Sequence, residues 1–162
     1  MTLWRISNRT DLTGIGGLRA SGRWHTAGRP IVYLAEHPAL CLLEVLAHDV
    51  EAGDLPRGYQ WLKVETRRST RVESMRELPR TWMTDLASTR MLGDRWLTKA
   101  KTALLRVPSV LAPESFNYLL NPAHRGARGA LVVSASPYPL DPRLARRGRS
   151  SCPRGRAAAT RR

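Results

Sequence analysis

The side chains best suited to chemistry lie between residues 23 and 48. Arg23 follows a glycine, Tyr33 stands in a short apolar strand pattern, and Glu44 stands in an apolar helix pattern. A carboxylate among leucines is costly unless it is solvated, paired or used. A guanidinium beside a glycine can hold a phosphate through bidentate hydrogen bonds. These residue types suit a cleft for a phosphate-bearing, sugar-containing ligand, but they do not identify a reaction.

Each of these residues also has a purely structural interpretation. Glu44 is as consistent with a buried ion pair as with a site, because both environments perturb carboxylates. Arg23 fits an ordinary surface position, and a strand tyrosine such as Tyr33 is more often part of the core. His48 follows Glu44 by one helical turn, which brings a bond between them within reach.

Three residues elsewhere in the chain are further candidates. Arg5 lies in the first strand, where it either points into a cleft or pairs with a carboxylate at a sheet edge. Trp24 belongs to the core or lines a base-binding pocket. Ser109 follows Pro108 at the point where a strand breaks, but no Gly-x-Ser-x-Gly motif marks it as a nucleophile.

Other local patterns are weaker. Residues 11–22 contain four glycines but lack the Lys-Ser/Thr pair of a P-loop, so they indicate only a loop whose backbone can approach a ligand closely. The histidines form no His-Glu-x-x-His motif, and the two cysteines, Cys41 and Cys152, lack metal-ligand spacing. The sequence therefore predicts no metal site.

The net charge of +14 is concentrated near the C-terminus. Residues 143–162 contain eight arginines and no acidic residue, and without them the net charge falls to +6. The same residues lack apolar periodicity, so we expect a disordered basic tail over residues 145–162 after a single domain over residues 1–144. Its charge either binds nucleic acid or an acidic partner, or only adds solubility.

Targeting signals are absent from the sequence patterns. No apolar run reaches the roughly 18 residues that a membrane-spanning helix needs, and the N-terminus does not resemble a signal peptide. We therefore expect a cytoplasmic protein with reduced thiols and no membrane contact.

The order of predicted elements mixes strands and helices without a regular βα repeat, which predicts an α+β fold. Side-chain alternation predicts strands at residues 3–7 and 59–66, and short apolar runs predict buried strands at residues 31–35 and 104–107. Further strands are predicted at residues 71–73 and 130–136. Pro38 suits the first turn of a helix over residues 39–47. Asp94 is predicted to cap a helix ending near Leu104. Residues 113–121 are predicted to form a short helix or a tight loop.

Seven short motifs, in this order and spacing, resemble those of the RES-domain toxins of bacterial toxin–antitoxin pairs, a family named for a characteristic Arg, Glu and Ser. They are Leu3-Trp-Arg-Ile6, Gly22-Arg-Trp-His25, Val32-Tyr-Leu-Ala35, Ala39-Leu-Cys-Leu-Leu-Glu44 with His48, Val107-Pro-Ser109, Asn117-Tyr-Leu-Leu-Asn-Pro-Ala-His124 and Leu140-Asp-Pro-Arg-Leu144. The resemblance covers residues 3–144 and leaves the basic tail outside. The Arg-Gly-Ala-Arg-Gly run at residues 125–129 is more basic and glycine-rich than the family pattern.

The resemblance implies a compact ADP-ribosyltransferase-like domain, with small sheets and surrounding helices, that cleaves the nicotinamide–ribose bond of NAD⁺. NAD⁺ is then a substrate, and no cofactor is expected. By resemblance, Arg23, Tyr33 and Glu44 form the catalytic centre. The predicted NAD-binding residues are Arg5, Trp24, Ser109 and Asn121.

The same resemblance implies an antitoxin partner with a helix-turn-helix domain and a DNA contact through the complex. Water or phosphate is the expected acceptor of the ribosyl group. Transfer to a protein on the same fold is the main alternative. A basic nucleic-acid-binding module is the alternative of another class, and the charge is its main support.

Overall fold

The computed structural model describes residues 1–49, 58–137 and 144. Its fold is built on a seven-stranded sheet. The strands are β1 (Thr2–Ser7), β2 (Val32–Ala35), β3 (Gln60–Thr66), β4 (Val72–Ser74), β5 (Leu104–Pro108), β6 (Phe116–Leu120) and β7 (Ala130–Pro137). Their order in the sheet is β4-β5-β6-β2-β1-β3-β7. The β4–β5 pair is parallel and the other pairs are antiparallel.

In the described part of the chain, three α-helices and one 3₁₀ turn accompany the sheet. They are α1 (Gly16–Arg19), α2 (Pro38–Asp49), α3 (Leu86–Lys99) and the turn Arg125–Gly129. Asp85 caps α3, because its side chain accepts a hydrogen bond from the backbone N–H of Ser88. At the other end, Ala100 adopts a left-handed conformation and its N–H closes the helix on the carbonyl of Trp96.

The sheet buries apolar side chains on both faces, as strand alternation requires. One cluster includes Leu3, Val32, Leu104, Tyr118 and Leu120. The neighbouring positions Leu105 and Leu119 point the other way and pack with Trp24, Ile31 and Trp96. A third cluster joins Ile6 and Ala35 to Leu40 and Cys41 of α2. The sheet thereby fixes α2 and the segment around Trp24 relative to each other.

The α+β fold class and the predicted strands are confirmed. Two local predictions are wrong. Asp94 does not cap a helix: it lies inside α3, and its carboxylate accepts hydrogen bonds from the N–H and hydroxyl of Thr26. The 113–121 segment is not a helix, because β6 occupies Phe116–Leu120 between β5 and β2.

The sheet-edge alternative for Arg5 is also wrong, since β1 lies between β2 and β3. The predicted disordered tail and the closing segment at residues 138–143 lie outside the described residues, as does Cys152. Among the described residues, no helix combines the length and the apolar character needed to cross a membrane.

Candidate active site

A cavity of about 780 Å³ opens between α2, the strands β1 and β2, and the chain around residues 16–25. Among the described residues, its charged lining consists of Arg5, Arg23, Glu44 and Arg90. One carboxylate therefore faces three guanidinium groups across a partly apolar space. This charge balance favours an anionic ligand.

Glu44 is fixed by two neutral donors. Its Oε1 accepts hydrogen bonds from the Ser109 hydroxyl at 3.0 Å and from the Asn117 side-chain amide at 2.6 Å. Among the side chains that the structure describes, in residues 1–47 and 58–137, no ion pair involves Glu44, and the predicted bond to His48 lies outside these side chains. In this part of the chain, Glu44 is therefore held by hydrogen bonds and not by the predicted alternative of a buried ion pair. Both recorded bonds go to Oε1, so neither occupies Oε2.

Ser109 is itself held by the backbone of its own turn. Its side-chain oxygen accepts hydrogen bonds from the N–H groups of Leu111 and Ala112, at 3.1 and 3.3 Å. Ser109 is only 4% exposed and does not line the cavity. Its hydroxyl proton is thus directed at Glu44, which makes Ser109 a positioning residue in this structure.

Asn117 reaches Glu44 from the middle of the sheet. It lies on β6 opposite Ala35 of β2, and both residues line the cavity. The next strand position, Tyr118, packs into the core on the opposite face. Strand alternation thus places one amide on the cavity side.

A tight turn at Gly22 forms another wall of the cavity. The Gly22 N–H donates to the carbonyl and to Nδ1 of His25, at 3.1 and 3.2 Å, and the Gly22 carbonyl accepts from Nε of Arg90 at 2.9 Å. A Cβ at this position would lie 2.5 Å from the hydroxyl oxygen of Tyr33. Only glycine fits so close to that ring without displacing it.

The hydroxyl of Tyr33 is oriented by two neighbours. It accepts a hydrogen bond from the N–H of Trp24 at 3.1 Å and lies 2.9 Å from Nδ1 of His25. Because Nδ1 already accepts from the Gly22 N–H, we assign the proton of this ring to Nε2 and the Tyr33 hydroxyl as the donor to Nδ1. Burial raises the pKa of Tyr33 far above its ordinary value, so the phenol stays protonated.

The three cavity arginines are each anchored to the main chain. A terminal nitrogen of Arg23 donates to the carbonyls of Trp82 and Met83, at 3.3 and 3.0 Å. Arg90 is anchored to Gly22 as described, and Arg5 donates to the carbonyl of Asp11 at 3.3 Å. Burial lowers the pKa of Arg5, but a guanidinium remains charged in proteins.

The other two predicted NAD-binding residues have mainly structural surroundings. Trp24 lines the cavity but is 2% exposed, and its ring stacks on Trp82 with centroids 6.2 Å apart. Asn121 does not line the cavity: its side-chain oxygen accepts from the N–H of Ala123, and its amide donates to the carbonyl of Leu97. The structure thus brings Arg5, Arg23, Trp24, Tyr33 and Glu44 to one cavity and leaves Asn121 outside it.

Three residues that line the cavity were not predicted as site residues from the sequence: His25, Arg90 and Asn117. Asn117 and His25 stand inside matched motifs, but Asn117 was assigned to a short helix or tight loop and His25 was considered only as a metal ligand. Arg90 carries no motif, and only the packing of α3 against Gly22 brings it to the cavity. Among the described residues, no cluster of three or more His, Cys, Asp or Glu could hold a metal ion.

Comparison with known proteins finds relatives over most of the chain. A protein named Toxin Res from Pseudomonas putida is 43% identical over 133 residues, covering 82% of this chain and 92% of that protein. A protein named Prs ADP-ribosylating toxin from Sphingobium sp. is 35% identical over 158 residues, covering 90% of this chain and 98% of that one.

The fold is similar to one in a solved structure. The crystal structure of the M. tuberculosis MbcT–MbcA toxin–antitoxin complex superposes with a TM-score of 0.70 at 18% identity, covering 89% of this chain and 86% of that one. At this identity the likeness concerns the fold. Residues 2–141 match the RES domain. With a match over most of its length and relatives above 30% identity, the chain belongs to the RES-domain family.

Proposed function

We propose that the protein is the toxin of a toxin–antitoxin pair and that it cleaves the nicotinamide–ribose bond of NAD⁺. The observation that carries this proposal is the setting of Glu44: a carboxylate held by the neutral donors Ser109 and Asn117, in a cavity whose described lining also includes Arg5, Arg23 and Arg90. The names of the Pseudomonas and Sphingobium relatives support the biological role.

The chemistry follows from the charges. As the bond breaks, its electron pair leaves with nicotinamide, which departs neutral, and positive charge develops on the ribose. A fixed carboxylate stabilises such an oxocarbenium-like centre or orients the acceptor, as in glycoside hydrolysis. Glu44 takes this role. Ser109 and Asn117 position Glu44, because both donate hydrogen bonds to its Oε1. Neither of them binds Oε2.

The remaining cavity residues bind the substrate. The diphosphate of NAD⁺ carries the negative charge that Arg5, Arg23 and Arg90 complement. The Tyr33 hydroxyl donates a hydrogen bond to His25 and accepts one from the Trp24 N–H. One lone pair of its oxygen is left to accept a hydrogen bond from a ribose hydroxyl. Trp24 forms part of the wall, and Asn121 holds the turn that follows β6.

The acceptor of the ribosyl group is water or phosphate in the main proposal. The Sphingobium relative named as an ADP-ribosylating toxin favours transfer to a protein as the second candidate. Both routes share the nicotinamide-releasing step. The toxin–antitoxin complex of similar fold supports an antitoxin partner for this chain as well. For that partner we propose a helix-turn-helix protein that covers the cavity and brings the complex to DNA.

The test is to incubate the purified full chain with NAD⁺, with and without phosphate, and to measure free nicotinamide and the ribosyl products. Release of ADP-ribose indicates hydrolysis, and a phosphorylated product that requires phosphate indicates phosphorolysis. Nicotinamide release that needs added cell protein and labels it indicates protein transfer. No release under any of these conditions would contradict the proposal.

A matched pair of variants tests the assignment of Glu44. Glu44→Gln keeps the shape but removes the charge, and we expect kcat to fall by about a thousandfold, the range found when a key electrostatic group is removed. Glu65→Gln is the control, because Glu65 lies on β3 in an exposed pair with Lys63 and does not line the cavity. Equal activity of the two variants would remove Glu44 from the mechanism.

A further inference from the structure

Three segments meet at the end of the sheet where β5 begins. The N–H of Arg67 donates to the carbonyl of Gly129 at 3.1 Å, which joins the β3–β4 connection to the 3₁₀ turn. A Cβ on Gly126 would lie 3.3 Å from that of Ala103, just before β5. Val72 pairs with Leu104, so the residues before β4 and β5 are neighbours.

These segments place six exposed cations on one surface, which we call the basic end. Its residues are Arg67, Arg68, Arg71, Lys101, Arg125 and Arg128. Two of them belong to the Arg-Gly-Ala-Arg-Gly run that departs from the family pattern. Residues 67–71, 101–103 and 125–129 contain no acidic residue. The positive charge of the folded domain is therefore locally concentrated, and not only in the sequence that follows it.

The cations of the basic end are not used inside the fold. Among the described side chains of residues 1–47 and 58–137, none of them has a partner in an ion pair or a side-chain hydrogen bond. Of the carboxylates nearest in sequence, Glu65 pairs with Lys63, and Glu73 lies on β4. Surface cations without partners repel each other, so their concentration is unfavourable unless an anion covers them.

The basic end is separate from the cavity. None of its six residues lines the cavity, whereas Pro108, at the far end of β5, does. The chemistry proposed above therefore does not need these cations. A ligand on this surface would also leave the cavity accessible.

The composition of the surface narrows the partner. The three segments contain no Phe, Tyr or Trp on which an unpaired base would stack. They also contain no large exposed apolar side chain of the kind that forms the core of a protein interface. What remains are guanidinium and ammonium groups, which bind phosphates. We propose that the basic end binds the phosphate backbone of double-stranded nucleic acid without reading its sequence.

The experiment measures binding of the full chain to labelled 20-base-pair duplexes of DNA and RNA by fluorescence anisotropy across a salt series. The test variant changes Arg68, Arg71, Arg125 and Arg128 to Gln. The control variant changes Arg19, Arg76, Arg80 and Arg95 to Gln, four exposed arginines outside the basic end. Both variants lose the same charge and keep residues 145–162, so the tail and the net charge are matched.

We expect the test variant to bind duplex at least tenfold more weakly than the control variant at low salt. Its log–log salt slope should be smaller in magnitude by about 2 to 4, since each phosphate contact contributes roughly 0.9. Stronger binding to one duplex would distinguish DNA from RNA as the source of the phosphates. Both variants should keep the melting temperature and the NAD⁺ cleavage of the unmodified chain.

Three outcomes would overturn the inference. The first is that the full chain binds no duplex, and the second is that both variants lose the same affinity for duplex. The third is that these arginines bind poly-glutamate and not duplex, which would indicate an acidic protein as the partner. None of these outcomes affects the NAD⁺ assay, so failure here is distinguishable from failure of the proposed function.

Discussion

Two sets of arginines in this small domain differ in how they are held. In the cavity, Arg5, Arg23 and Arg90 each donate to a main-chain carbonyl. At the basic end, no side-chain hydrogen bond or ion pair engages the cations within the described residues. Because the cavity arginines are already held in the folded protein, their side chains lose little further freedom when a ligand binds. They are therefore preorganised for one ligand geometry. The basic end keeps that freedom, which suits a long polyanion in many registers.

After the loss of the Glu44 charge, the largest expected effect comes from breaking the turn that anchors the cavity. Gly22→Ala adds a Cβ that would lie 2.5 Å from the Tyr33 hydroxyl oxygen, so either the ring or the turn must move. We expect NAD⁺ cleavage to fall by about a hundredfold, the typical result of a misplacement of about 1 Å in an active site. Nicotinamide release by the purified variant is the measurement.

The control for this prediction is Gly16→Ala in α1. Gly16 also lines the cavity, but a Cβ there meets no atom within 4 Å. Its activity should match that of the unmodified protein. If both glycine variants cleaved NAD⁺ equally well, the Gly22 turn would not be the element that orders this wall.

The next largest effect concerns the hydrogen bonds that hold the Glu44 carboxylate. Asn117→Ala removes the shorter of the two bonds to Oε1 and leaves the Ser109 bond in place. A hydrogen bond to a charged group contributes about 1.5–3 kcal/mol, so we expect kcat to fall by roughly tenfold to a hundredfold. KM should change little, because Asn117 acts through Glu44 and not on the diphosphate.

Steady-state kinetics of Asn117→Ala, Ser109→Ala and the double variant test this support. Since both residues hold one oxygen, their effects should not add. A rise in KM with kcat unchanged would show instead that Asn117 binds the substrate directly.

A smaller effect compares one arginine from each set. Arg90→Ala removes a guanidinium anchored on Gly22, and we expect KM for NAD⁺ to rise about tenfold, the equivalent of one charge-assisted hydrogen bond. Arg68→Ala, at the basic end, should leave KM unchanged. Direct titration of ADP-ribose onto both variants checks the result without turnover, and equal affinities would erase the distinction between the two sets.

Much of the fold was predictable because several strands are short apolar runs between turns, β3 alternates, and Pro38 begins α2. Errors arose where contacts distant in sequence override local signals. Asp94 looks like a helix cap, but Asp85 caps α3 and the Asp94 carboxylate is used by Thr26. Residues 113–121 look like a turn or a helix, but two flanking strands draw Phe116–Leu120 into the sheet.

The candidate site was predictable only where a residue type and a motif coincide. Arg23, Tyr33 and Glu44 meet both conditions, and the structure brings them to one cavity. Arg90 has no motif, and its position depends on how α3 packs. Asn121 also stands in a motif, but its side-chain oxygen accepts a hydrogen bond from the Ala123 N–H within a turn. A motif thus identifies residues that matter without separating those that face the ligand from those that hold the chain.

The smallest expected effect tests His25, the residue that joins the Gly22 turn to Tyr33. Burial lowers the pKa of His25, so below about pH 6.5 the unfolded chain binds a proton that the folded chain resists. Folding stability should therefore fall on acidification from pH 7.5 to 5.5, by less than about tenfold in the unfolding constant per pH unit, since one proton is involved. Urea unfolding of His25→Asn at both pH values isolates this contribution, because the other histidines and the carboxylates are common to both proteins. A variant that loses as much stability as the unmodified chain would show that His25 is protonated freely in the fold, and its assignment as an acceptor for Tyr33 would then be wrong.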